Sequence, residues 1–98
     1  MQYRISFRQE ANAELTSAYI WYEEQQKGLG ERFVAKIQQR LTQIINNPEK
    51  YKVVYKNYRE ITIEKFPYQI IYVIEKLKRQ ILIIAVFHTK RNPAQKYR

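Results

Sequence analysis

The sequence predicts one α+β domain over residues 1–98, ordered βααβββ, with an antiparallel sheet and a helical hairpin packed on one of its faces. Three observations predict it. Two successive stretches repeat apolar residues at helical spacing on either side of Gly28-Leu29-Gly30. Apolar and polar residues alternate at the start of the chain and again near residue 61. Two later runs are apolar on both faces, as central strands are. Helices grouped before hairpin-connected strands point to an α+β sheet with a helix pair on one side. No internal repeat, low-complexity segment or linker interrupts the chain, and its length fits a single domain.

Tyr3, Ile5 and Phe7 alternate with Arg4 and Ser6, which predicts a short half-buried strand. Ala11, Leu15, Ala18, Tyr19 and Tyr22 then form one helical stripe, with Ser6 and Gln9 weakly matching a capping box at its start. Trp21 lies about 80° from the centre of that stripe and fills either a core edge or an interface. Glycine is costly inside a helix, so Gly28-Leu29-Gly30 is expected to break the pattern. Phe33, Ile37, Leu41 and Ile44 form the second stripe, and Asn46-Asn47-Pro48 ends it. Ile61 and Ile63 alternate with Glu60, Thr62 and Glu64, a strand with one wet face. Lys65-Phe66-Pro67 marks a turn before the apolar strand Tyr68 to Ile74. Polar residues 75–80 suit a hairpin into the strand Ile81 to Phe87, and Val53-Val54-Tyr55 reads as a short extra strand.

Charge is unevenly placed. The net charge is +9, and there is no aspartate. In residues 1–49 the Lys, Arg and Glu cancel, so the whole excess lies in residues 50–98. Such a field attracts nucleic acid, an acidic protein segment or an anionic enzyme surface. Without cysteine the chain has no disulfides and no thiolate metal ligands. Arg4 and Arg8 interrupt the first apolar stretch, and no apolar run is long enough for a membrane helix. A cytoplasmic protein without a membrane partner is expected. With two glycines, one histidine and two serines, the chain offers no phosphate loop, no His/Cys/Asp metal cluster and no plausible serine triad. Neither a metal nor another cofactor is expected.

Arg, Lys, Tyr and one His remain, a set able to grip phosphates or stabilise a phosphoryl transition state. His88 follows the last apolar strand and is either a general acid–base or a strand-end residue bonded to backbone. Lys90 and Arg91 come just after it, among other cations. Arg59 points toward that same face or pairs with a nearby Glu. Tyr97 stacks, donates a proton, or belongs to a frayed tail. Tyr68 and Tyr72 share a strand face and suit core or rim packing. Arg59, His88, Lys90 and Arg91 are the expected target-binding residues.

Ala11-x-x-Glu14-Leu15, Ala18, Trp21-Tyr22-Glu23, Gly28-Leu29-Gly30 and Phe33 resemble the helical hairpin of ParE-type toxins. Asn47-Pro48, Arg59, Phe66-Pro67-Tyr68-x-Ile70-x-Tyr72 and Val86-Phe87-His88-x-x-Arg91-x-Pro93 resemble the same family's sheet, so nearly the whole chain is covered. The resemblance implies the toxin of a bacterial type II toxin–antitoxin system of the RelE/ParE superfamily, held in a hetero-oligomer by a ParD-like or other cognate antitoxin. Superfamily members of the RelE type cut mRNA on the ribosome, whereas those of the ParE type poison DNA gyrase and are known for no catalytic centre. Where RelE-like ribonucleases place Lys and Arg in the middle strands, this sequence has Glu60, Thr62 and Gln69. Only Arg91 and Tyr97 fall near the family's C-terminal arginine and tyrosine. The resemblance therefore implies gyrase inhibition. The alternatives are a RelE-like endoribonuclease using Arg59, His88, Arg91 and Tyr97, and a non-toxic basic nucleic-acid-binding module.

Overall fold

The computed structural model describes residues 2–91 and Tyr97. Strand β1 (Arg4–Phe7) leads into helices α1 (Gln9–Gln25) and α2 (Leu29–Asn46). Four strands follow: β2 (Val53–Tyr55), β3 (Tyr58–Thr62), β4 (Tyr68–Glu75) and β5 (Gln80–His88). The expected α+β architecture is present, and Val53–Tyr55 is a strand in its own right. The sheet order is β1-β5-β4-β3-β2, and β2 to β5 form an antiparallel meander. The sheet is mixed rather than wholly antiparallel, because β1 pairs with β5 in parallel, Arg4 opposite Gln80 and Phe7 opposite Ile83. A parallel neighbour need not be adjacent in sequence; here both helices and three strands intervene.

Both helical stripes face the sheet. Ala11, Ala18, Tyr22, Phe33, Ile37 and Ile44 are buried against Ile61, Ile70, Tyr72, Ile81, Ile83 and Val86. The alternate residues of β4 and β5 project to the opposite face, where Ile71, Val73, Ile84, Ala85 and Phe87 form a second buried cluster joined by Tyr58, Leu82 and Tyr97. Both central strands are thus apolar on two faces because both faces are covered. A bulge at Ile71/Tyr72 shifts the β4–β5 register, so that Ile71 pairs with Ala85 and Tyr72 with Ile83.

The start of α1 and the turn between the helices each differ from the sequence expectation. Helix α1 starts after Arg8, which makes no side-chain cap, so the Ser6/Gln9 capping box does not form. Gly28, at φ 89°, takes the left-handed conformation that precedes α2. Gly30, by contrast, lies within α2 rather than breaking it. A Cβ there would stand 2.6 Å from the Tyr19 carbonyl oxygen, so glycine lets α2 touch the α1 backbone. Glu23 secures the junction: its two carboxylate oxygens accept from the Gly28 N–H at 2.8 Å and the Gly30 N–H at 2.9 Å. One side chain of α1 thereby satisfies two of the open N–H groups at the start of α2 and places negative charge at its positive end.

Candidate functional site

Strand β1 ends opposite Ile83, while β5 continues to His88. The unpaired stretch of β5 leaves space beside α1, and a groove of about 450 Å³ occupies it. Small residues Ala13, Ser17 and Ala18 on α1 keep the groove open, and Trp21 walls one side. Glu14 reaches across and accepts the Val86 N–H at 2.9 Å, satisfying a β5 edge donor that β1 does not reach. The far wall comprises Tyr68, His88 and Arg91. Trp21 is 56% exposed and its neighbour Ile20 48%, so α1 carries apolar side chains toward water as well as toward the core.

His88 is tied into the turn that ends β5. Its Nδ1 accepts the Lys90 N–H at 3.1 Å, and its ring meets Tyr68 edge-on at 5.0 Å. An accepting Nδ1 places the proton of the neutral ring on Nε2. The Tyr68 hydroxyl is pushed above its usual pKa mainly by burial; Arg91 opposes the shift and Glu14 adds to it. Lys90 and Arg91 are exposed beside the groove mouth. His88, Lys90 and Arg91 therefore lie together.

Arg59 belongs elsewhere. Its guanidinium Nη1 donates to the carbonyls of Glu49 at 3.0 Å and Tyr51 at 2.6 Å, and Tyr72 beside it donates its hydroxyl to Pro48 O at 2.7 Å. The two side chains clamp the connection between α2 and β2. Through the pairs Arg59–Tyr72 and His88–Tyr68, Arg59 shares the helix-side face of the sheet with His88 as expected, but it stands two strands away and the loop carbonyls hold its guanidinium apart from His88 and Arg91.

Tyr97 lies on the opposite side of the sheet. Its hydroxyl donates to Glu60 Oε2 at 2.8 Å, and Gln69 Nε2 donates to Glu60 Oε1 at 3.1 Å. Burial, with the hydrogen bond and charge of Glu60, pushes the Tyr97 hydroxyl up to about 12. Its ring stacks on Tyr55 at 5.0 Å and meets Tyr58 at 5.9 Å. The four residues considered for a ribonuclease centre thus fall in three places, with the sheet between His88 and Tyr97. Glu60 and Gln69, by contrast, are brought together with Tyr97 in a polar network around a carboxylate.

Sequence reasoning missed Glu14 and the hub role of Glu60. Glu14 carried a signal, since it stands three residues from Ala11 and four from Ala18, on the buried edge of a stripe where a charge needs a partner. Pro93, at the end of the sequence pattern, lies outside the described residues. Among the described residues no group of three His, Asp or Glu could hold a metal ion, and no helix is long and apolar enough to cross a membrane.

Residues 5–93 match the family model described as the ParE toxin of the type II toxin–antitoxin system parDE. The chain belongs to the ParE toxin family. Comparison with curated proteins returns no match. Among solved structures, the chromosomal ParDE system of P. aeruginosa superposes with a TM-score of 0.76 at 14% identity, covering 90% of this chain and 97% of that one. A double mutant of E. coli toxin RelE in the free state gives 0.73 at 17% identity, covering 98% and 93%. The intact E. coli RelBE toxin–antitoxin complex gives 0.63 at 16%, covering 91% and 99%. These likenesses establish the RelE/ParE toxin fold. In this ParE-family toxin the groove beside α1 and the Glu60 network thus sit on opposite faces of a sheet shared with both kinds of toxin.

Proposed function

We propose that this type II toxin inhibits DNA gyrase and has no phosphodiester-cleaving centre of its own. The observation that carries the reading is the carboxylate network of Glu60, Gln69 and Tyr97. Phosphodiester cleavage needs cations on the scissile phosphate. Here the corresponding strand positions present a carboxylate, which repels a phosphate, with its oxygens occupied by Gln69 and Tyr97. Separation of Arg59, His88 and Tyr97 supports the same reading. His88, Lys90 and Arg91 are the proposed target contacts. A supercoiling assay with purified protein tests it. Inhibition of gyrase with accumulation of cleaved DNA is expected. Failure to do either, together with codon-linked cuts in ribosome-bound mRNA that Tyr97→Phe abolishes, would replace this reading with the ribonuclease one.

The groove is the proposed seat of the antitoxin. Its apolar wall and the exposed Trp21 and Ile20 suit an amphipathic segment, and Arg91 at the rim suits an acidic residue on it. A large exposed aromatic at a groove edge is a common binding hot spot, worth about 2 kcal/mol or more. Trp21→Ala is therefore expected to weaken binding of the neighbouring antitoxin about 30-fold while leaving the thermal midpoint almost unchanged. Isothermal titration beside a melting curve checks both; unaltered affinity would remove the groove from the interface.

A further inference from the structure

Three non-glycine residues among those described have positive φ: Lys56 at 50°, Lys65 at 69° and Arg79 at 50°. Each stands in a connection between strands, where glycine or asparagine adopts the left-handed conformation with less strain. All three are cations. Strain retained for a particular side chain points to a use for that side chain.

Two of the three share one end of the sheet. Arg4 pairs with Gln80, Gln80 with Glu75, and the β3–β4 register brings Lys56 to the same level. With strands about 4.8 Å apart, Arg4 and Lys56 stand about 14 Å apart across three strand spacings. Between them projects the β4–β5 turn, Lys76-Leu77-Lys78-Arg79. The turn is firmly built: Lys78 N–H donates to Glu75 O, Arg79 N–H to Lys76 O, and Gln80 Nε2 to Glu75 Oε1 at 2.7 Å across its base. Lys76 is shared with Glu49 at 3.4 Å, while Arg4, Lys56, Lys78 and Arg79 have no ion pair among the described residues. At the apex, Leu77 is fully exposed (103%).

We propose that this end of the sheet binds duplex DNA, with Arg4, Lys56, Lys76, Lys78 and Arg79 on phosphates and Leu77 entering a groove between them. Phosphates of one strand recur about every 3.4 Å along the helix axis, so a row about 14 Å long faces roughly four of them. A leucine on a rigid turn, flanked by cations, is the arrangement with which groove-binding proteins wedge base steps apart. A lipid surface suits it less well. Among the described residues Leu77 is by far the most exposed large apolar side chain: Ile20 and Trp21 lie on α1, while Val53 and Tyr55 lie on β2, where Tyr55 is stacked on Tyr97. The proposal is independent of the gyrase reading, because its probe is bare DNA.

Fluorescence anisotropy of a labelled mixed-sequence duplex, titrated with the full chain at several salt concentrations, tests it. The logarithm of the binding constant should fall with the logarithm of salt at a slope of about −4. Arg79→Gln and Lys78→Gln should each reduce the slope by about 1, whereas Lys65→Gln, at the opposite end, should not change it. Leu77→Ser should lower affinity about tenfold at an unchanged slope, because groove insertion releases no counterion. Circular dichroism of each variant verifies the fold. Equal slopes in wild type, Arg79→Gln and Lys78→Gln would overturn the proposal. So would Leu77-dependent binding to phosphatidylglycerol vesicles that exceeds binding to the duplex.

Discussion

Glu23 shows how much one side chain decides in a chain of this size. Its carboxylate oxygens accept from both the Gly28 and the Gly30 N–H. Glu23→Ala leaves two helix-start donors without a protein acceptor, which costs about 1–3 kcal/mol. For a domain near this length that corresponds to a fall in melting temperature of at least about 4 °C. The two glycines separate two kinds of strain. Gly28→Ala meets no atom within 4 Å and suffers only from its φ of 89°, whereas Gly30→Ala drives a Cβ against the Tyr19 carbonyl. Gly28→Asn is therefore expected to fold nearly as well as wild type, because asparagine tolerates the left-handed region. Gly30→Ala should lose more stability than Gly28→Ala. Urea midpoints rank the three, and the reverse order would show that α2 does not rest on the α1 backbone. Of these facts the sequence revealed only the break itself. The two glycines look alike in a string of letters, and what distinguishes them is their distance in space from the backbone of α1, which Gly30 touches at Tyr19 and Gly28 does not.

Among the elements, β4 and β5 were legible because both are apolar on two faces, and the helices because their stripes keep a 3.6-residue period. The parallel seat of β1 was not legible. Alternation in Tyr3 to Phe7 reveals a strand but says nothing about which neighbour it takes or in which direction, since those depend on the sheet edge left open by later strands. Site residues divide in the same way. His88, Lys90 and Arg91 are close in sequence, and one turn keeps them together. Arg59 and Tyr97 are distant, and the sheet sends them to separate places. The α1–β5 contact yields a prediction at this scale: Glu14→Ala removes the acceptor of the Val86 N–H and should raise hydrogen exchange at that amide at least tenfold, with Ile70 and Ile83 little affected. Uniform acceleration across β5 would mean that Glu14 supports the whole strand rather than its unpaired end.

Across the whole molecule, tyrosine ionisation links burial to alkaline stability. The Tyr72 hydroxyl is pushed up to about 12 by burial, against the pull of Arg59, and Tyr97 likewise reaches about 12. Tyr22 and Tyr68 shift upward for the same leading reason. A phenol whose folded pKa exceeds its unfolded value of 10.0 keeps its proton longer in the native state. Its stabilising contribution is complete below that unfolded value and is lost as pH rises toward about 12. Stability should therefore decline over this window, and Tyr72→Phe should flatten the decline while lowering stability at neutral pH through loss of the Pro48 contact. Spectrophotometric titration beside urea melts at stepped pH checks both effects. The pairing of Arg4–Phe7 with Gln80–Ile83 also bears on the order in which the fold assembles. Strand β1 gains its sheet partner only once β5, more than seventy residues further along the chain, is in place, and that same strand walls the groove beside α1. The sheet edge and the groove are therefore expected to form together and late, after the β2–β5 meander has assembled.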